Sequence, residues 1–171
     1  LLAAAAGRLA GRPGPAATLR RRGPGLLLPG KAPNLVGANE VSVPTVLIAD
    51  NDSDVSDLLR DVLQRRGLHV ERCFDGEAAG AMVRELGVQV LVCDLDMPRA
   101  SGVEVVDGLS DMANPPAVVV ISGFMDAATE QRLRAQPFVR EVLRKPFDVL
   151  LFAHRVEALL KAAAPAEAGE G

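Results

Sequence analysis

From Thr45 onward the chain alternates short β-type apolar runs with amphipathic helical stretches, and this alternation restricts its fold more than any other feature. Strand-length runs separated by helix-length segments pair in parallel, because each crossover carries the chain back to the same edge of a sheet. The first run is Val46-Leu47-Ile48-Ala49. Spacing then predicts a helix over about 54–66, capped by Ser53, with Val55, Leu58, Leu59, Val62 and Leu63 on one apolar face and Gly67 ending it. A second strand is expected over 68–72, and a second helix from Asp75 to about Leu86, closed by Gly87. Residues 88–93 are apolar almost throughout, the pattern of a central strand covered on both faces. A third helix is expected to run to Met112, before Asn114-Pro115-Pro116. A strand over 117–121, a helix over 126–135, a short strand over 141–143 and a last helix over 148–163 complete the series. Leu150, Leu151, Val156, Leu159 and Leu160 supply apolar surface to that last helix.

Charge divides the chain at the same place. Residues 1–44 carry six basic side chains against Glu40 alone, whereas residues 45–171 hold thirteen basic and twenty-one acidic ones. The first stretch is rich in Ala, Gly, Pro, Leu and Arg and reads as a disordered basic extension or linker. Residues 45–163 read as the folded domain and 164–171 as a flexible tail. No apolar run approaches the ~20 residues that a membrane-spanning helix needs. Cys73 and Cys93 sit in apolar strand contexts and read as buried free thiols of a reducing, cytoplasmic compartment. His69 and His154 have no ligand-type neighbours at zinc spacing. The acidic part has no basic stripe and lacks Trp and Tyr, which argues against direct nucleic-acid binding.

The chemistry collects where strands end. In an open parallel sheet, ligands bind at the carboxyl ends of the strands. The first run delivers Asp50, Asn51 and Asp52, the third Asp94 with Asp96 two residues on, the fourth Ser122, and the fifth Lys145. Any one of these has an ordinary structural explanation. Asp50 or Asp52 could simply cap the next helix, Ser122 could shape a turn, and Lys145 could be solvated. Their occurrence at four successive strand ends points to a site. Clustered carboxylates repel, a cation relieves the repulsion, and oxygen-only donors select Mg²⁺ or Mn²⁺. Such a cation beside a carboxylate suits phosphoryl transfer, with Asp94 as the best candidate acceptor because it ends the most buried strand. Lys145 would neutralise phosphoryl oxygens and the Ser122 hydroxyl would donate to one.

These segments resemble the receiver domain of bacterial two-component response regulators over about residues 45–163. They are Val46-Leu47-Ile48-Ala49-Asp50-Asn51-Asp52, Val90-Leu91-Val92-Cys93-Asp94-Leu95-Asp96-Met97-Pro98 with Ser101-Gly102, Val120-Ile121-Ser122-Gly123, and Lys145-Pro146-Phe147. The resemblance implies a flavodoxin-like, doubly wound α/β fold with a five-stranded parallel sheet of order 2-1-3-4-5 and five helices. It implies that Asp94 is the phosphoacceptor, that Asp50, Asn51, Asp94 and the backbone carbonyl of Asp96 hold Mg²⁺, and that Ser122 is a switch hydroxyl. It also implies a cis Lys145-Pro146 bond. The partners implied are a sensor histidine kinase or histidine phosphotransfer protein and a downstream protein. The latter would bind the face formed by the fourth helix, fifth strand and fifth helix, and a homodimer is compatible with it. Any catalysis is limited to self-phosphorylation and autodephosphorylation.

The sequence departs from the family pattern in three places. Asn51 stands where a carboxylate is usual, which predicts weaker metal binding unless Asp52 turns inward. Val142 occupies the switch position that normally holds an aromatic residue. Gln136-Pro137-Phe138 replaces a small Gly-Ala loop, with Phe138 read as an anchor. Three alternatives therefore stand beside a phosphorylation-switched, stand-alone receiver. One is a degenerate receiver that binds partners without phosphorylation, and another is the C-terminal receiver of a hybrid histidine kinase. The third is a hydrolase of the haloacid-dehalogenase type, which lacks support because no Asp-Asp pair follows Lys145.

Overall fold

The computed structural model describes residues 45–163, so the readings of 1–44 as an extension and of 164–171 as a tail lie outside the described residues. The chain runs β1 (Thr45–Ala49), α1 (Ser53–Gln64), β2 (His69–Cys73), α2 (Gly76–Glu85), β3 (Val90–Asp94), α3 (Gly102–Gly108), β4 (Ala117–Ser122), α4 (Ala127–Arg134), β5 (Val139–Arg144) and α5 (Val149–Ala163). The strands form one parallel sheet in the order β2-β1-β3-β4-β5. This is the flavodoxin-like α/β arrangement that the resemblance implied.

The two-residue period of the strands accounts for their unbroken apolarity. Val46 and Ile48 of β1, Val90 and Val92 of β3, and Val119 and Ile121 of β4 pack with Leu59, Leu63, Phe152, Val156 and Leu160 of α1 and α5. The intervening Leu47, Ala49, Leu91, Cys93, Val118 and Val120 pack on the other face with Val83, Val105, Val106 and Leu133 of α2, α3 and α4. Both faces of the central strands are covered, so β3 and β4 stay apolar until their last residues, Asp94 and Ser122.

Several local expectations need correction. Asp52, not Ser53, caps α1, accepting from the backbone N–H groups of Asp54 and Val55 at 3.0 and 3.2 Å. A carboxylate there also suits the positive end of the helix dipole. The packing face of α1 runs through Ser56, Leu59 and Leu63, which leaves Leu58 51% exposed. In α5 the buried face is Phe152, Ala153, Val156 and Leu160, and Leu150 and Leu151 point outward. The third helix ends at Gly108, well short of Met112. β5 is longer than expected and carries an irregularity: Val118 pairs with Val139, but Val119 pairs with Glu141. The extra residue, Arg140, shifts the remaining register so that Ser122 lies opposite Arg144. Phe138 is buried in the core, as its reading as an anchor required.

Phe152 is fully buried, with its ring 5.6 Å from that of Phe147, whereas Leu150 is 63% exposed. Phe152→Ala should therefore lower stability by about 3–5 kcal/mol, while Leu150→Ala should stay within about 0.5 kcal/mol. Urea unfolding of the two variants checks this assignment of the α5 faces.

Candidate functional site

Asp50, Asp94 and Lys145 are carried to one place by β1, β3 and β5. Asp50 follows the last residue of β1, with its backbone N–H donating to the Cys73 carbonyl at 3.2 Å. Asp94 ends β3 opposite Ile121. The Lys145 N–H donates to the Ser122 carbonyl at 2.8 Å, so the β5 register fixes where the lysine starts. The Lys145-Pro146 bond is cis. The Lys145 ammonium donates to Asp50 Oδ2 at 2.9 Å and to Asp94 Oδ2 at 3.2 Å. Asp50 is completely buried and Asp94 nearly so.

The remaining carboxylate oxygens are also engaged. Asp50 Oδ1 accepts from the Asp52 N–H at 2.8 Å, so Asp50 ties the β1–α1 turn to the ion pair and does not cap the helix. Asp94 Oδ1 accepts a longer bond from the Asp96 N–H at 3.4 Å. Burial raises the Asp94 pKa and the neighbouring Asp50 charge adds to the effect; the Lys145 ammonium and the Asp96 N–H oppose both without cancelling them. Burial works against the Lys145 charge, but its hydrogen bonds and proximity to the two carboxylates prevail and hold its pKa above the usual value. Burial thus still disfavours the Asp94 charge with the lysine in place.

Over this triad lies a cavity of about 650 Å³ lined by Asn51, Asp52, Asp94, Leu95, Asp96, Ser122, Gly123, Phe124 and Lys145. The expected site residues Asn51, Asp94, Asp96, Ser122 and Lys145 therefore share one wall, with Asp50 behind it. Val142 is apart from them, buried in the core on the α2–α3–α4 side of the sheet. Asp52 borders the cavity but spends Oδ1 on the α1 cap, so it has not turned inward to replace the carboxylate missing at position 51. The Ser122 hydroxyl donates to the Phe124 carbonyl at 2.5 Å and accepts from the Phe124 N–H at 3.2 Å. Phe124 is 86% exposed at the mouth of the cavity and was not foreseen as part of the site. Its only signal is an aromatic residue directly after a strand-end Ser-Gly, where polar residues are usual. The two cysteines are buried free thiols; burial, then the charge of Asp75, pushes the Cys73 pKa up to about 11.

Residues 46–157 match the family described as the response regulator receiver domain. The chain belongs to this family. Receivers are the regulated modules of two-component signalling, and the relatives agree. Response regulator RR06 of Streptococcus pneumoniae serotype 2 is 28% identical over 119 residues, covering 68% of this chain and 52% of that protein. The transcriptional regulatory protein PrrA of Mycobacterium leprae is 34% identical over 121 residues, covering 71% and 52%. The solved receiver domain of a response regulator from Bermanella marisrubri gives a TM-score of 0.61 at 29% identity, covering 68% of this chain and 97% of that domain. The chain spans about half the length of the curated relatives it matches. Among the described residues, no helix of the receiver is long and apolar enough to cross a membrane.

A carboxyl group whose pKa is raised in the fold above its unfolded value binds its proton more tightly in the native state. Ionising it costs native stability, so stability falls as pH rises from the ordinary Asp value through the raised one. Asp94→Asn should therefore raise the urea midpoint at pH 7 in metal-free buffer. The gain should shrink as pH falls toward the ordinary Asp range, which paired unfolding curves at pH 7 and pH 4 would show.

Proposed function

We propose that Asp94 accepts a phosphoryl group from a phosphohistidine on a sensor histidine kinase or histidine phosphotransfer protein. The observation that carries this reading is Asp94 itself: a buried carboxylate bonded to an ammonium and facing an open cavity. An Asp94 carboxylate oxygen attacks phosphorus as the P–N bond to the donor imidazole breaks. The bonding pair stays on the imidazole, and the product is an acyl phosphate on Asp94. Lys145, already 3.2 Å from Asp94 Oδ2, is placed to bond the incoming phosphoryl oxygens. Ser122 serves as the switch hydroxyl: to reach a phosphoryl oxygen it must give up the Phe124 carbonyl.

The donor set fits Mg²⁺, or Mn²⁺, because every candidate ligand is oxygen. Asp50, Asn51, Asp94 and the backbone carbonyl of Asp96 would hold the ion, and the close approach of the buried Asp50 and Asp94 carboxylates to one ammonium supports a further cation there. When bound, the ion supplies positive charge against the carboxylates and the entering phosphoryl oxygens. Asn51 offers an amide oxygen without a charge, so the site binds the ion less tightly than one with a third carboxylate.

The output is an interaction with a downstream protein, in the cytoplasm, through the surface of α4, β5 and α5. Glu130 of α4 already bridges Arg134 and Arg144 there, and Arg155 of α5 pairs with Glu141 of β5. With Val142 buried in place of an aromatic, a phosphorylation-independent binding module is the second reading.

Incubation with Mg²⁺ and acetyl phosphate or phosphoramidate should label the wild-type chain, and Asp94→Asn should abolish the label while the far-UV spectrum stays native. Absence of label in the wild type at saturating Mg²⁺ would favour the second reading. Asn51→Asp should shift the Mg²⁺ dependence of labelling to lower concentration, and an unchanged dependence would remove Asn51 from the ligand set.

A further inference from the structure

The loop between β3 and α3 carries Leu95 and Asp96 into the cavity and is gripped from both sides. On the inner side, the Gly102 N–H donates to the Leu95 carbonyl at 3.1 Å, and a Cβ at Gly102 would lie 2.1 Å from the Asp94 carbonyl oxygen. On the outer side the loop is pressed against the start of α2. The Gly76 N–H donates to the Pro98 carbonyl at 3.3 Å, and a Cβ at Gly76 would lie 2.0 Å from the Ala100 carbonyl oxygen. Only glycine admits so close a backbone approach.

An ion pair closes the outer grip. Asp75 caps α2 with Oδ1, which accepts from the Ala78 N–H at 2.8 Å. Capping needs only that one oxygen. The other, Oδ2, accepts from Arg99 of the loop at 2.5 Å, and the Asp75 side chain is 9% exposed. Arg99 is the one non-glycine residue with positive φ among those described, at +68°. That backbone conformation favours Gly or Asn, so helix-free loop geometry alone gives no reason for an arginine there. Its side chain is otherwise 62% exposed, and Asp75 is the partner it reaches.

We propose that Asp75 and Arg99 are positioning residues, a clasp that holds the β3–α3 loop so that Asp96 presents its carbonyl to the cation of the phosphoacceptor site. The proposal rests on the phosphoryl-transfer reading above. Mg²⁺ demands near-ideal octahedral placement of its ligands, so freedom in one backbone ligand weakens binding even when every ligand is still present. The clasp links α2, which contributes no residue to the cavity lining, to the tightness of the metal site.

Two variants isolate this role. Arg99→Gly removes the ion pair and suits the positive φ, and Asp75→Asn keeps an Oδ1 that caps α2 while losing the charge. Mg²⁺ would be titrated into the full chain while its backbone amide resonances over 94–102 are followed by NMR. Amide exchange of Asp96 and Gly102 would be measured in metal-free buffer, with the urea midpoint as a control. Each variant should bind Mg²⁺ roughly 10-fold more weakly, the low end of what losing an outer-shell partner costs a metal site. Loop amides should exchange faster while the urea midpoint stays near that of the wild type. The double variant should be no weaker than either single one, because the two residues act as a unit, and Arg99→Lys should recover part of the affinity. Wild-type Mg²⁺ affinity in both single variants overturns the clasp and leaves the phosphoryl-transfer reading standing. No Mg²⁺ response in the wild type overturns both.

Discussion

The Lys145 ammonium lying between Asp50 and Asp94 is the interaction on which the site depends. Two nearly inaccessible carboxylates at the ends of adjacent strands would repel each other through a medium of low polarity, and one cation holds them together. Buried charges of this kind rarely repay their desolvation, so the arrangement is better explained by chemistry than by stability. The geometry upstream of it is correspondingly constrained. β1 and β3 must run parallel and adjacent so that Asp50 and Asp94 emerge side by side, and β5 must deliver Lys145 from two strands further away. The irregularity at Arg140 belongs to the same constraint. It moves β5 by one residue against β4 and sets Arg144 opposite Ser122, so that Lys145 begins at the Ser122 carbonyl.

What could be read from the sequence follows from what the sheet demands. A parallel strand covered on both faces must be apolar until it ends, so the first polar residue after each run marks both the strand end and the site. Asp50, Asp94 and Ser122 were legible for that reason; Lys145 was not legible on that ground, because β5 is an edge strand that holds Arg140 and Glu141 and ends at Arg144. The helices were less legible because only part of each is buried. Leu58, Leu150 and Leu151 continue an apolar pattern in sequence, but the crossing of α1 and α5 over the sheet leaves them outside the contact. The cap of α1 was misplaced by one residue because Asp52 and Ser53 are both good caps, and only the path of the turn after Asp50 chooses between them. The β5 irregularity has no local signature: nothing around Arg140 resembles a bulge until the partner strand is present.

Two features of the receiver become connected once their surroundings are known. Val142 is packed into the core, where a rotating aromatic ring would need space, and Phe124 stands exposed at the cavity mouth. The Ser122 hydroxyl is bonded twice to the Phe124 backbone, so any movement of the hydroxyl toward Asp94 frees the β4–α4 connection at the residue bearing that ring. The aromatic residue whose backbone the Ser122 hydroxyl bonds therefore lies ahead of α4 and not within β5. The backbone from Gly123 leads directly to the Asp126 cap that starts α4.

Asn51 changes the electrostatic balance of the site in both directions. With Asp50 and Asp94 ionised and Lys145 charged, the triad carries one net negative charge, and Asp52 is drawn off to its helix cap. A third carboxylate at position 51 would deepen that negative potential and strengthen the pull on a divalent cation. It would also add repulsion to a metal-free site in which burial, and after it the Asp50 charge, already holds the Asp94 pKa above the ordinary value. On the proposed reading, the amide would ease the repulsion within the metal-free receiver and hold the cation less tightly. With fewer charges to attract the ion, its binding would lean more on how well the neutral ligands are placed. Under the proposed clasp, that dependence would give the grip of α2 on the Asp96 loop, through the Asp75–Arg99 ion pair, its particular weight in this chain.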